Sequence, residues 1–229
     1  FGSELTLRLY AKTIEFAVLT WAGTLAIGFW IAYFLVFHVR NQLLSIGLFL
    51  LCTVPFWTSN IIRMISWIPL LGKEGLVNSA LIGSGLVKQP LEFLLFSDFA
   101  VVVAYVHQLT IFMIVPIFNA LTRIDKRTIE AAQDAGATRW EIMRWIVFPL
   151  SRNGVALGSI FVLSIVMGDF FVVKVMSGGG SASIVSALFE DIAVLQYPPA
   201  AASAVVLLAF VVVMIALILR TVDVRREIT

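Results

Sequence analysis

Few residues in this 229-residue chain can do chemistry, and most of them sit inside long apolar runs. Asp169 follows Gly168 near the end of one run and precedes the glycine-rich stretch Ser177, Gly178, Gly179, Gly180, Ser181. His107, Gln108 and Thr110 cluster inside another run, with Asn119 further along, and Thr58, Ser59, Asn60 and Arg63 lie at the end of a third. A polar group in lipid is costly unless it faces protein or water, so each is a candidate for lining a solute path or gate. Asp169 there would attract a cation or hold an outer gate shut. Its structural alternatives are a pair with Lys174 or contact with interfacial water. For His107 the alternative is a hydrogen-bonded packing role, and for Thr58 to Asn60 it is helix capping.

Other chemistries find no support. There is no GxxxxGK[ST] phosphate loop, and Ser177–Ser181 lacks both the lysine and the preceding strand, so ATP is not expected to bind this chain. Two histidines without Cys or carboxylate at ligand spacing argue against a metal site. A serine protease would need Ser84, between Gly83 and Gly85, to face His107, and glycine with serine equally marks an ordinary turn. The lone cysteine, Cys52, excludes an internal disulfide and reads as a small apolar residue. Basic residues without interleaved aromatics on a soluble surface argue against nucleic-acid binding.

One polar segment stands between apolar runs, residues 125–149, DKRTIEAAQDAGATRWEIMRWIVFP. Asp125 is placed to cap a short helix through Glu130, Ala131, Ala132 and Gln133. That helix should stop at Gly136, where a left-handed residue costs least. Thr138 with Glu141 three residues on is a capping box, so a second helix should run from Arg139 to about Val147 and end before Pro149. Ala131, Ala132 and Ala135 allow close approach by another surface, and Glu130 and Asp134 stand one turn apart on one face. The segment has the build of a docking knob.

At these positions the chain resembles the inner-membrane permease subunits of bacterial ATP-binding-cassette importers. Their hallmark is Glu-Ala-Ala, three residues, Gly, nine residues, Ile, one residue, Leu-Pro. Here it reads Glu130, Ala131, Ala132, Gly136, Ile146, Phe148 and Pro149, with Phe148 in place of Leu. The resemblance implies that the segment is a coupling helix, seated in a groove of a cytoplasmic ATPase and transmitting its closure to the membrane helices. Glu130, Ala131, Ala132, Asp134, Gly136, Ile146 and Pro149 are then the coupling residues.

Composition points to lipid independently. Hydrophobic residues make up 60% of the chain and charged residues 13%, too apolar a balance for an ordinary water-soluble domain. The expectation is an all-α polytopic transmembrane bundle in a single domain. About 20 apolar residues cross a bilayer. On that basis spans are expected at about 13–37, 43–62, 99–122, 153–176 and 198–220, the second weakened by Pro55 and the fourth interrupted near its end by Asp169. Residues 58–98 are too punctuated to span and should hold short surface helices near 61–71 and 76–87. A flexible loop is expected from Ser177 to Tyr197.

With the coupling segment inside, ten of the 16 Lys and Arg residues fall on the cytoplasmic side and six on the other, the bias of the positive-inside rule. The ten include Arg225 and Arg226. Five spans with a cytoplasmic C-terminus leave the N-terminus outside, so a sixth span is expected before Phe1 in the parent protein.

Pro55 to Asn60 with Ile61, Ile62 and Arg63, then Gly75 to Asn78, and Gly168 with Asp169 look like the spermidine/putrescine branch of these permeases. The resemblance implies a type I importer fold and alternating access for a small organic solute, a polyamine or another nitrogenous compound. It implies a bacterial inner-membrane location. The partners are a second, different permease subunit, two cytoplasmic ATP-binding subunits that hold ATP and Mg, a periplasmic substrate-binding protein, and membrane lipid. This chain would bind no cofactor and catalyse no reaction. The rival reading is a passive channel or membrane scaffold, for which residues 125–149 are a mere connection.

Overall fold

The computed structural model describes residues 4–220, so Arg225 and Arg226 lie outside it. The described residues form helices joined by turns and short irregular stretches, without strands. In order come α1 (Glu4–Phe37), α2 (Gln42–Thr53), α3 (Asn60–Leu71), α4 (Leu76–Gly83), α5 (Asp98–Thr122), α6 (Lys126–Asp134), α7 (Arg139–Ile142), α8 (Phe148–Gly168), α9 (Phe171–Met176), α10 (Ile184–Ala193) and α11 (Tyr197–Arg220). By length and composition Glu4–Phe37, Asp98–Thr122, Arg139–Gly168 and Tyr197–Arg220 can each cross a membrane, with a fifth span if Gln42–Trp57 and Asn60–Gly83 count as one broken span.

Five expectations need correcting. The first helix begins at Glu4, well before residue 13, because its charges are paired along the helix: Arg8 with Glu4 at 2.6 Å and Lys12 with Glu15 at 3.0 Å. Residues 43–62 are not one helix. Pro55 lacks a backbone donor and restricts Val54 before it; a 3-10 turn occupies Val54–Trp57, and helix resumes only at Asn60.

The helix expected to end before Pro149 does not end there. A π-turn at Met143–Val147 lets the Phe148 N–H reach the Met143 carbonyl, and the chain stays helical from Arg139 to Gly168. The wider turn accommodates a proline that has no N–H to give and would crowd the carbonyl four residues back. The fourth expected span, 153–176, therefore starts earlier and divides at Asp169 into α8 and α9. Finally, the stretch expected to be a flexible loop contains α10, opened by Ser183, whose hydroxyl accepts from the Ser186 N–H in a capping box.

Two compact units are distinguishable. Among the described residues, unit 1 comprises 4–21, Val54–Gln108 and Leu163–Val211. Its core is built on Tyr105, Val101, Met64, Val172, Val173 and Met176, all buried. There α3 packs on α4 and α9, and α9 on α10. Asn78, fully buried, gives its amide to the Gly72 and Leu91 carbonyls at 3.0 and 3.2 Å and accepts from the Leu91 N–H at 2.8 Å. The polar side chain thereby fixes the irregular segment between α4 and α5.

Unit 2 comprises Ala22–Thr53, Leu109–Val162 and, among the described residues, 212–220. It is built on close helix approach. A methyl group on Gly154 would stand 2.5 Å from the Pro116 carbonyl and 2.8 Å from Ala120 Cβ; one on Gly158 would stand 2.6 Å from Met113 Sδ. Small residues let helices meet at backbone distance, the usual device where lipid removes any hydrophobic drive to associate. Phe29 stacks on Phe148 and Phe49 lies against Phe118, with ring centroids 4.9 and 4.7 Å apart.

Candidate functional site

The polar segment folds as its residues dictate. Asp125 is the N-cap of α6, its carboxylate accepting from the Arg127 N–H at 2.9 Å. At the other end the Gly136 N–H donates to the Gln133 carbonyl and the Ala137 N–H to the Ala132 carbonyl, both at 2.9 Å. This is the Schellman pattern, and it requires the left-handed backbone that Gly136 supplies at φ 86°. Thr138 and Glu141 then form the expected capping box, the Thr138 N–H donating to Glu141 at 2.7 Å and the Glu141 N–H to the Thr138 hydroxyl at 3.3 Å.

The result is a preformed knob. Glu130, Ala131 and Asp134 are exposed and Ala132 is half-buried, while Ile142, Met143 and Val147 anchor the following turn in the interior. Ile146 is half-buried and Pro149 exposed. Trp140 and Trp145 are exposed as well, with Arg144 lying over the Trp145 ring at 5.5 Å. Caps at both ends hold α6 and the turn after it in a defined shape, with small residues between them.

The intramembrane candidates are divided. Asp169 does not pair with Lys174, whose ammonium lies 5.0 Å from the Phe189 ring centre. Its carboxylate instead accepts from the Val172 N–H at 2.9 Å and from the Tyr105 hydroxyl at 3.2 Å. Asp169 thus caps the start of α9 and ties it to α5. Tyr105 escaped the sequence reading because nothing in an apolar run announces a contact 64 residues away.

His107 projects beside Trp67, rings edge-on at 5.3 Å. Gln108 and Asn60 each bury a side-chain oxygen that has no partner. Ser59 precedes α3 but makes no side-chain cap, so plain capping is not its use. These residues and Asp169 all belong to unit 1; Thr110 belongs to unit 2 and is half-buried there.

Residues 24–226 match the family described as binding-protein-dependent transport system inner membrane component. The chain belongs to this family. Among relatives, it is 34% identical over 131 residues to the spermidine/putrescine transport system permease protein PotB of Haemophilus influenzae, covering 57% of this chain and 46% of that one. It is 31% identical over 166 residues to PotB of Escherichia coli, covering 72% and 59%. With the inner membrane ABC transporter permease protein YdcU of Escherichia coli it shares 26% identity over 179 residues, 74% of this chain and 57% of that one. The permease thus spans about half the length of these relatives. In fold it is similar to a chain of a bacterial ABC transporter that imports the acidic polysaccharide alginate, with a TM-score of 0.76 at 18% identity over 96% of this chain and 80% of that one. A second structure, of a bacterial alginate ABC transporter in complex with an alginate pentasaccharide-bound periplasmic protein, gives 0.75 at 17% identity over 95% and 78%. The permease is therefore an inner-membrane transport component, an all-α bundle of the type I ABC permease kind.

Proposed function

We propose that this permease forms half of the membrane pathway of an ATP-driven importer that works by alternating access. The observation that carries the reading is the doubly capped, exposed α6 with Gly136 at its end. In this mechanism α6 seats in a groove of a cytoplasmic ATP-binding subunit, which holds ATP and Mg. Glu130, Ala131, Ala132, Asp134 and Gly136 make the contact, and Ile146 and Pro149 pass the movement into α8. A second permease subunit, a different chain, completes the pathway, a second ATP-binding subunit serves it, and a periplasmic binding protein delivers solute. The C-terminus is cytoplasmic. The membrane-embedded candidates Asp169, His107, Gln108, Ser59, Asn60 and, separately, Thr110 are assigned to the solute path or its gate.

The solute is a polyamine, the class named for the PotB relatives. An acid held by a tyrosine, Asp169 with Tyr105, suits a cationic cargo. The test is ATP turnover by the reconstituted transporter with its binding protein, comparing spermidine and putrescine with neutral and anionic nitrogenous solutes. Stimulation by polyamines is expected; stimulation only by another solute keeps the importer and discards the polyamine. Ala132→Leu and Gly136→Val should each abolish solute-stimulated turnover while membrane insertion persists. Unchanged stimulation in both variants removes the coupling role from α6, and no stimulation of the intact wild-type complex by any solute returns the rival reading, a passive channel or scaffold.

A further inference from the structure

Arg63 is a buried charge in unit 1 with too few partners. The residue is 9% exposed. Nη2 donates to the Thr58 carbonyl at 2.8 Å, at the break that precedes α3. Nε and Nη1 are shut away without an acceptor, which strands one N–H on the first and two on the second. None of the ion pairs described in the chain uses this guanidinium. Asp169, an acid of the same unit, is already engaged by Tyr105 and the Val172 N–H. A buried cation left short of acceptors is costly, and its hydrogen bonds are normally completed.

Candidate acceptors lie in the same unit. The Asn60 side-chain oxygen is buried and unpartnered, and Asn60 stands one turn before Arg63 on the same side of α3. The Gln108 side-chain oxygen on α5 is in the same state. The two helices meet here, since Trp67, one turn after Arg63, touches His107, the neighbour of Gln108. Stranded donors on one helix and stranded oxygens on the same helix and the facing one are complementary in kind. Such a set, unsatisfied in this arrangement, could close in a second position of a packed two-position element.

We propose that Arg63 is a switch residue that trades acceptors during the transport cycle. In this conformation it holds the Thr58 carbonyl at the break before α3; in the other its Nε and Nη1 turn to Gln108 and Asn60 and bind α3 to α5. Arg63 acts by positioning the start of α3 and need not touch the solute. The inference rests on the alternating-access reading above.

The test is hydrogen exchange on the reconstituted transporter with its ATP-binding subunits, without nucleotide and after trapping with ATP and vanadate. Wild type should change protection over residues 58–63 between the two states. Gln108→Met, close in volume but without the amide oxygen, should lose most of that change. Gln108→Glu offers Arg63 a carboxylate and should fix residues 58–63 at one level of protection in both states. Equal protection of 58–63 in the two wild-type states, or wild-type behaviour in both variants, overturns the switch. Exchange over α6 separates the two readings. If trapping changes α6 but not 58–63, only the switch fails; if α6 is also unmoved, the importer reading fails with it.

Discussion

In unit 1, side chains reach across long stretches of sequence to tie elements together, whereas in unit 2 helices meet at glycine and stacked rings. Lys12 on α1 pairs with Asp98 at the start of α5 at 2.6 Å, and Asp98 in turn accepts from the Ser181 hydroxyl. The neighbouring Thr13 hydroxyl accepts from the Ile184 N–H of α10 at 2.9 Å, and Tyr10 donates to the Ser203 carbonyl of α11 at 3.0 Å. One short stretch of α1 thus holds three later helices. In unit 2, Gly154 and Gly158 bring α8 against α5 at Pro116 and Met113, with a polar tie between the Ser45 hydroxyl and the Leu35 carbonyl at 2.9 Å. Directional polar bonds hold irregular, broken elements in place because each supplies a missing backbone or side-chain partner. Long unbroken helices satisfy their own backbones and need only shape.

If that contrast is right, steric substitutions should damage unit 2 most. Gly154→Val puts atoms onto the Pro116 carbonyl and Ala120; it should cost at least the ~1–3 kcal/mol typical of overpacking, read as a lower melting temperature of the purified permease and loss of exchange protection over 109–162. Deleting a hydroxyl should act in unit 1 instead. Tyr105→Phe removes the donor to Asp169 and should cost ~1–3 kcal/mol, with protection lost over 169–176 and kept over 109–162. Protection lost equally in both units for either variant would erase the distinction.

Smaller effects sharpen the comparison. Lys12→Met removes the pair with Asp98, whose side chains are partly exposed, so the loss should be below about 1 kcal/mol and shrink as salt is raised. The least effect is expected at Glu92, where Lys73 at 2.7 Å holds the exposed carboxyl below its ordinary range. A lowered folded-state pKa means the contribution is present above the unfolded value and is lost as pH falls through the folded one. The small difference in melting temperature between wild type and Glu92→Gln at neutral pH should therefore vanish in strong acid.

Much of this was legible in the chain itself. The Asp125 cap, the Gly136 stop and the Thr138 with Glu141 capping box were readable because each depends on residues within five positions of one another. The third and fifth spans, 99–122 and 198–220, agree with α5 and α11 to within a residue, since a long charge-free run leaves a chain in lipid little choice. The break of the second span at Pro55 was visible only as a weakness, because proline permits a kink or a full stop and neighbouring packing chooses. Pro149 misled in the opposite sense: a five-residue π-turn absorbed it.

The sequence by itself determined where the long apolar runs lie, which segment is the knob and where α6 starts and stops, because short-range hydrogen bonding and hydrophobic run length settle these locally. Only the tertiary structure decided what the scattered polar residues do. Asp169 took Tyr105 over the nearby Lys174, Asn78 gathered the carbonyls of a broken segment, and Arg63 was buried with donors to spare. Those outcomes depend on which distant helices meet, and a side chain chooses its partner by distance and burial, which one-dimensional spacing does not encode.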